Sequence, residues 1–178
     1  MKKSVCLFIS ILIFFCGCTR QDYINAEMYL TELQKKTGIV ISTDNILFDD
    51  RTATVYVKNE SKAELLIRAE TKDEKLQKLC RISLSAPCTA ENYKLLEEVF
   101  SCTVSIFAND EPEEITKALH IPSKPPTALM VTHHETVYNR YACYLTDDGY
   151  FVCIECKEDC RDGQEKRTLT QTYRVGES

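Results

Sequence analysis

Glycine and proline are scarce in this chain of 178 residues, with five of each. Together with an apolar share of 44%, that scarcity argues for a folded chain over a disordered one. No glycine-rich phosphate loop is present, and no Gly-x-Ser-x-Gly turn accompanies the serines, histidines and aspartates, so neither nucleotide binding nor a hydrolase has a motif behind it. Internal repeats and low-complexity tracts are also missing. Basic charge is short: 22 lysines and arginines stand against 27 aspartates and glutamates. An acidic surface repels phosphate backbones and anionic lipid headgroups, which excludes nucleic acid as a natural partner.

What the chain has in quantity sits first at its start. Lys2 and Lys3 precede a run from Val5 to Phe15 in which only Ser10 is polar, and the run ends in Cys16, Gly17 and Cys18. The run is too short for a good membrane span and reads as a secretion signal. Its close resembles the lipobox of bacterial lipoprotein precursors, in which a small residue, here Gly17, precedes the cysteine that receives the lipid, here Cys18. Phe15 and Cys16 depart from the leucine and small residue usual before that pair. The resemblance implies a signal peptide over 1–17, acylation at Cys18 and attachment to a membrane of the cell envelope through lipid chains. Two or more chains hold firmly, at about 0.8 kcal/mol per buried methylene. Removing 1–17 takes two of the 22 basic residues and none of the 27 acidic ones, leaving a formal charge of −7.

Cysteine is the other abundance. Seven follow Cys18: Cys80, Cys88, Cys102, Cys143, Cys153, Cys156 and Cys160. In an exported protein these are disulfide candidates, and their odd number leaves one over. The alternative for Cys143, Cys153, Cys156 and Cys160 is a zinc site of four thiolates, although the ligands are not arranged as two short knuckles. A redox dithiol at Cys153 and Cys156 is disfavoured because Cys153 falls within an expected strand, away from a helix N-terminus.

Along the chain, Asp22 is placed to cap a helix from Tyr23 to Lys36, stopped by Gly38. Ile39 to Ile41 reads as a buried strand. Asp44, Asn45, Asp49 and Asp50 bracket a loop, and Thr52 to Val57 alternates as a strand. Ala63 to Ala69 suits both periods, and Lys62, Ala63, Glu64 and the leucines favour a helix beginning near Ser61. Cys80 to Leu84 reads as a strand, and Thr89 caps a helix over Ala90 to Phe100. Cys102 to Phe107 alternates as a strand, and Asp110 caps a helix from Glu111 to Leu119. Pro122, Pro125 and Pro126 mark a linker over 121–127 between an α/β region, 18–120, and a cysteine-rich β region, 128–178.

In that last region Leu129 to Thr132, Thr136 to Thr146, Tyr150 to Cys156 and Arg167 to Val175 are strands of an antiparallel meander. A three-residue loop at Asp147, Asp148 and Gly149 would set position 146 opposite 150 and Cys143 opposite Cys153, within disulfide reach. His133 and His134 point to opposite faces of their strand, so they cannot form one site. Tyr138, Tyr141, Tyr144 and Tyr150 suit either an interface or a sheet core. The predicted class is α+β: small α/β modules followed by a cysteine-rich antiparallel β meander.

The order helix, strand, strand, helix after a lipidated cysteine resembles the lipoprotein of the inner-membrane ring of type III secretion machines. Cys18, Ala26 to Leu30 leading into Gly38 and Ile39, and Ala53 to Val57 carry the likeness, with Arg81 to Leu84 and Cys102 to Ile106 as strands of a second domain. This chain departs from that family in its short linker, its cysteine-rich tail and its lack of a C-terminal span. The resemblance implies non-enzymatic assembly through small α/β modules. The function read from the whole is therefore a lipid-anchored binding or structural component whose partner is another envelope protein. The alternative is an exported metal-binding or thiol-chemistry protein.

Overall fold

The computed structural model describes residues 24–42, 45–59, 61–72 and 78–157. The signal segment, Cys18, Cys160 and the expected strand Arg167 to Val175 lie outside these residues. The fold is α+β, with three α-helices and one seven-stranded antiparallel sheet among the described residues. Helix α1 spans Ala26–Thr37 and strands β1 to β4 span Ile46–Asp49, Thr52–Lys58, Glu64–Thr71 and Leu79–Ala86. Helix α2 (Ala90–Thr103) runs into a π-helix, Val104–Ala108, and α3 (Pro112–Ala118) follows. Strands β5 (Met130–Glu135), β6 (Asn139–Leu145) and β7 (Tyr150–Cys156) complete the sheet.

The spatial order is β1-β2-β3-β4-β7-β6-β5. Two meanders, one from each side of the proline-rich stretch 121–127, thus meet where β4 pairs with β7. One hydrophobic core spans both: Val55 and Val57 of β2, Leu65 and Ile67 of β3, Ile82 and Leu84 of β4 and Val152 and Ile154 of β7 face Tyr29, Leu33, Val99 and Phe100 of the helices. The helices lie on that one face of the sheet.

Several elements differ from the sequence reading. Asn25, rather than Asp22, caps α1, its Oδ1 accepting the Met28 N–H at 2.8 Å. Gly38 ends the helix as read, in the left-handed conformation with its N–H on the Gln34 carbonyl. Ile39 to Ile41 is a connection: Ile39 is buried, but Val40 is 78% exposed, and among the described residues no strand pairs with it. The loop expected between Asp44 and Asp50 contains the edge strand β1.

The expected helix over Ser61 to Ala69 is strand β3. Ala63, Leu65, Ile67 and Ala69 are all buried at period two. Burying leucine and isoleucine there contributes about 2 kcal/mol each, against tenths of a kcal/mol per residue from helix propensity. The expected strand Cys102 to Phe107 is helical instead. Val99, Thr103 and Phe107 are buried four apart, as are Phe100, Val104 and Ala108, a helical spacing that a six-residue window reads as alternation. Asp110 does not cap α3; Glu111 occupies the N-cap, with no side-chain hydrogen bond.

The β6–β7 turn has two residues, not three. Thr146 and Gly149 exchange both backbone hydrogen bonds around Asp147 and Asp148, at 3.0 and 3.3 Å. Leu145 therefore stands opposite Tyr150, and Cys143 opposite Val152. A slip of one residue moves a side chain to the other face. Cys143 faces the helices while Cys153, opposite Ala142, lies on the other side of the sheet.

Candidate functional site

The face of the sheet turned away from the helices carries three rows of side chains, each crossing the strands in register. Along the first run Tyr56, Leu66, Ser85, Phe151, Tyr144 and Val131, each opposite the next. The second is Thr54, Arg68, Ser83, Cys153, Ala142 and His133. The third alternates in charge: after Thr52 come Glu70, Arg81, Glu155, Arg140 and Glu135. Among the described residues no element covers these rows. Tyr56 and Val131 are 47% and 48% exposed, and Leu66, Tyr144 and Phe151 are half-buried.

Each row has a physical logic. Directly opposed side chains are the units that stabilise a sheet, and opposite charges across a strand pair contribute a few tenths to about 1 kcal/mol. Arg140 Nε lies 3.4 Å from Glu135 Oε1, and Lys157 Nζ, just past β7, lies 2.7 Å from Glu135 Oε2. Lys157 first and then Arg140 hold the Glu135 carboxyl below the usual carboxylate range. In the apolar row the Tyr144 and Phe151 rings sit 5.8 Å apart at 52°, and His133 meets Tyr144 edge-on at 5.5 Å. At the far end, hydrogen bonding to Glu64 raises the Tyr56 hydroxyl above its ordinary value.

Two shallow grooves adjoin the rows, the first at the sheet end beside the apolar row and the second across all three rows. One, of about 470 Å³, is bounded by Tyr56, Leu66, Ser85, Tyr144 and Phe151. The other, of about 330 Å³, is bounded by Arg81, His133, Arg140, Tyr144, Phe151 and Cys153. Within it, Arg81 Nε donates to Cys153 Sγ at 3.0 Å and Ser83 Oγ donates at 3.7 Å. That contact with Cys153 leads the causes that raise the Arg81 guanidinium further above its already high value. No family model, curated protein or solved structure matches this chain.

The cysteines read as candidates are dispersed. No disulfide joins two of the described ones. Cys88 is exposed beyond β4, with its Sγ 3.3 Å from the Tyr150 hydroxyl, and Cys102 is half-buried on α2. Cys143 is fully buried against the helices, and burial pushes its thiol up to about 11. The zinc alternative needs Cys143, Cys153, Cys156 and Cys160 on one centre, whereas Cys143 and Cys156 face the helices and Cys153 faces away. No group of three or more metal-ligating side chains occurs among the described residues.

The paired histidines separate as read: His133 joins the uncovered face, and His134 lies against the Tyr141 ring on the helix side. Of the tyrosines, Tyr144 faces outward while Tyr141 and Tyr150 are core residues. The sequence reading missed Leu66, Phe151 and Val131. The signal was present: on strands with one buried face, these apolar residues occupy the positions where polar ones would ordinarily stand.

Proposed function

We propose that this chain is an exported lipoprotein of a bacterial cell envelope, anchored through Cys18, that binds a protein partner through the uncovered face of its sheet and performs no chemistry of its own. The observation that carries the reading is the row of tyrosine, phenylalanine, leucine and valine side chains crossing six strands in the open. Half-exposed aromatic side chains bordered by charge are the composition of protein interfaces. Charge alternating along the third row, beyond the mixed row of Arg68 and His133, favours a protein presenting an apolar strip with charges of both signs to one side. An evenly anionic polymer would meet Glu70, Glu155 and Glu135. The leader and Cys18 support the anchor, which confines the domain to a surface and raises its effective concentration for a neighbour there.

The test uses the full-length protein in membranes, with a photo-crosslinking side chain at Tyr144 or, as a control, at Glu113 on the helical side. The expected result is an acylated mass beginning at Cys18, lost in Cys18→Ser, and a crosslinked partner from position 144 that disappears with Phe151→Glu. An unprocessed leader in the membrane fraction would overturn the anchor, and equal crosslinking from position 113 would overturn the face. Thiol chemistry is the second reading, favoured by the contact of Arg81 with Cys153. It requires Cys153→Ser to abolish function while Phe151→Glu leaves it intact.

A further inference from the structure

The β4–β7 pairing is the seam between the two meanders, and at one end each strand carries a cysteine just past the last registered pair. Its last pair is Arg81 opposite Glu155, with Ile82 opposite Ile154 and Leu84 opposite Val152 before it. Continuing that register by one residue would set Cys80 against Cys156, both within the bounds of β4 and β7. Cys156 shares the buried face of Ile154, while Cys80 is half-buried between Leu79 and Arg81, where β4 is bulged against β3. Directly opposed residues of antiparallel strands lie about 4.5 to 5.5 Å apart at Cα, inside the range of about 4.4 to 6.8 Å that a disulfide spans.

We propose that Cys80 and Cys156 form a cross-strand disulfide that staples the seam between the two halves of the sheet. Three further observations favour this pair over the other pairings. Cys153 is opposite Ser83 and Ala142 on the outward face, and Cys143 is opposite Val152 and Thr132. Cys88 and Cys102 lie outside the strands. Finally, β4 is bulged against β3 at this point, Glu70 pairing with Arg81 and Thr71 with Leu79, so that Cys80 is the extra residue. A bulge releases its extra residue from the ladder on that side and lets its side chain be re-aimed. The Cys80 Sγ contact with the Glu70 carbonyl, at 3.3 Å, is a weak hydrogen bond that oxidation gives up.

The oxidant is a small or protein disulfide, for which oxidised glutathione serves in the test tube. Cys80 is the more accessible sulfur, since Cys156 is only 8% exposed. The Cys80 thiolate attacks one glutathione sulfur and expels the other half as a thiolate. The Cys156 thiolate then attacks the Cys80 sulfur of this mixed disulfide and expels the second half. Two protein thiols are oxidised, and one glutathione disulfide becomes two glutathione thiols. The register is the same whether or not the chain is exported, so the inference does not depend on the anchor; export supplies an oxidising compartment.

The experiment treats the folded full-length chain with oxidised glutathione, alkylates the remaining thiols, digests, and maps crosslinked peptides by mass spectrometry. The expected product is a peptide pair joined through Cys80 and Cys156, an intact mass lower by two hydrogens, and an upward shift in Tm. All three should vanish in Cys80→Ser and persist in Cys88→Ser. Linkage of Cys156 to Cys153 or Cys160 would overturn the proposal, as would alkylation of both Cys80 and Cys156 in oxidised protein whose circular dichroism remains native. Because the peptide map is read on the unsubstituted chain, the result stands even where Cys80→Ser fails to fold.

Discussion

Asp110 stands two residues before α3, and its carboxylate turns away from that helix to β6. Its Oδ2 accepts from the Tyr141 hydroxyl at 2.6 Å, from Asn139 Nδ2 at 2.8 Å and from Thr136 Oγ1 at 3.2 Å. Asn139 Nδ2 donates as well to the Ala108 carbonyl, which ends the π-helix. Burial first and then Asp110 raise the Tyr141 hydroxyl far above its ordinary value, so it remains a donor at every physiological pH. Both Tyr141 and Asn139 are nearly or wholly buried, and a buried donor left without its acceptor costs about 1 to 3 kcal/mol. Asp110→Ala should therefore lower stability in urea denaturation by about 3 kcal/mol, and Tyr141→Phe by about 1. A change within a few tenths for Asp110→Ala would mean the network is not what holds the π-helix to the sheet. From sequence, an aspartate ahead of a proline-initiated helix reads as a cap; only the proximity of β6 gives it a stronger set of donors.

At the scale of elements, the β6–β7 hairpin sets the most consequential detail. Gly149 has φ +154°, and a Cβ there would come within 2.9 Å of the Ala86 carbonyl oxygen on β4. The glycine thus closes a two-residue turn and lets the neighbouring strand approach. Gly149→Ala combines a disfavoured backbone conformation with a clash against main chain, and should cost about 2 kcal/mol in thermal or chemical unfolding. A neutral result would show that β4 can yield at its end. The same turn, one residue shorter than the sequence reading, decides which cysteines share a face. Strand β3 teaches the complementary lesson: its alternation of Leu65, Ile67 and Ala69 was visible in sequence beside the helical reading, and the neighbouring strands β2 and β4 select between them.

For the molecule as a whole, one core crosses the seam, so neither meander has a hydrophobic face to itself. Val55 on β2 and Val152 on β7 belong to the same buried cluster although almost a hundred positions separate them in sequence. Far-UV circular dichroism and tyrosine fluorescence should accordingly give coincident unfolding curves. Val55→Ala, in the half before the prolines, should shift both by the same amount. Two separate transitions would show the halves to be independent units. The helices cover one side of this shared sheet, and among the described residues the other side keeps its apolar and charged rows exposed.

Local chemistry in the sequence was enough for several features. The Thr89 cap, the Gly38 stop, the alternation of β2 and of β7 and the α+β class each follow from interactions within a few residues, which composition and spacing record. Tertiary structure alone decided the pairing of β4 with β7, the single core, the rows across the uncovered face and the placing of Cys143 and Cys153 on opposite faces. These depend on which strands become neighbours and in what register. Because side chains alternate at every residue, a turn shorter by one position reverses the face of all that follows, and nothing local records that choice.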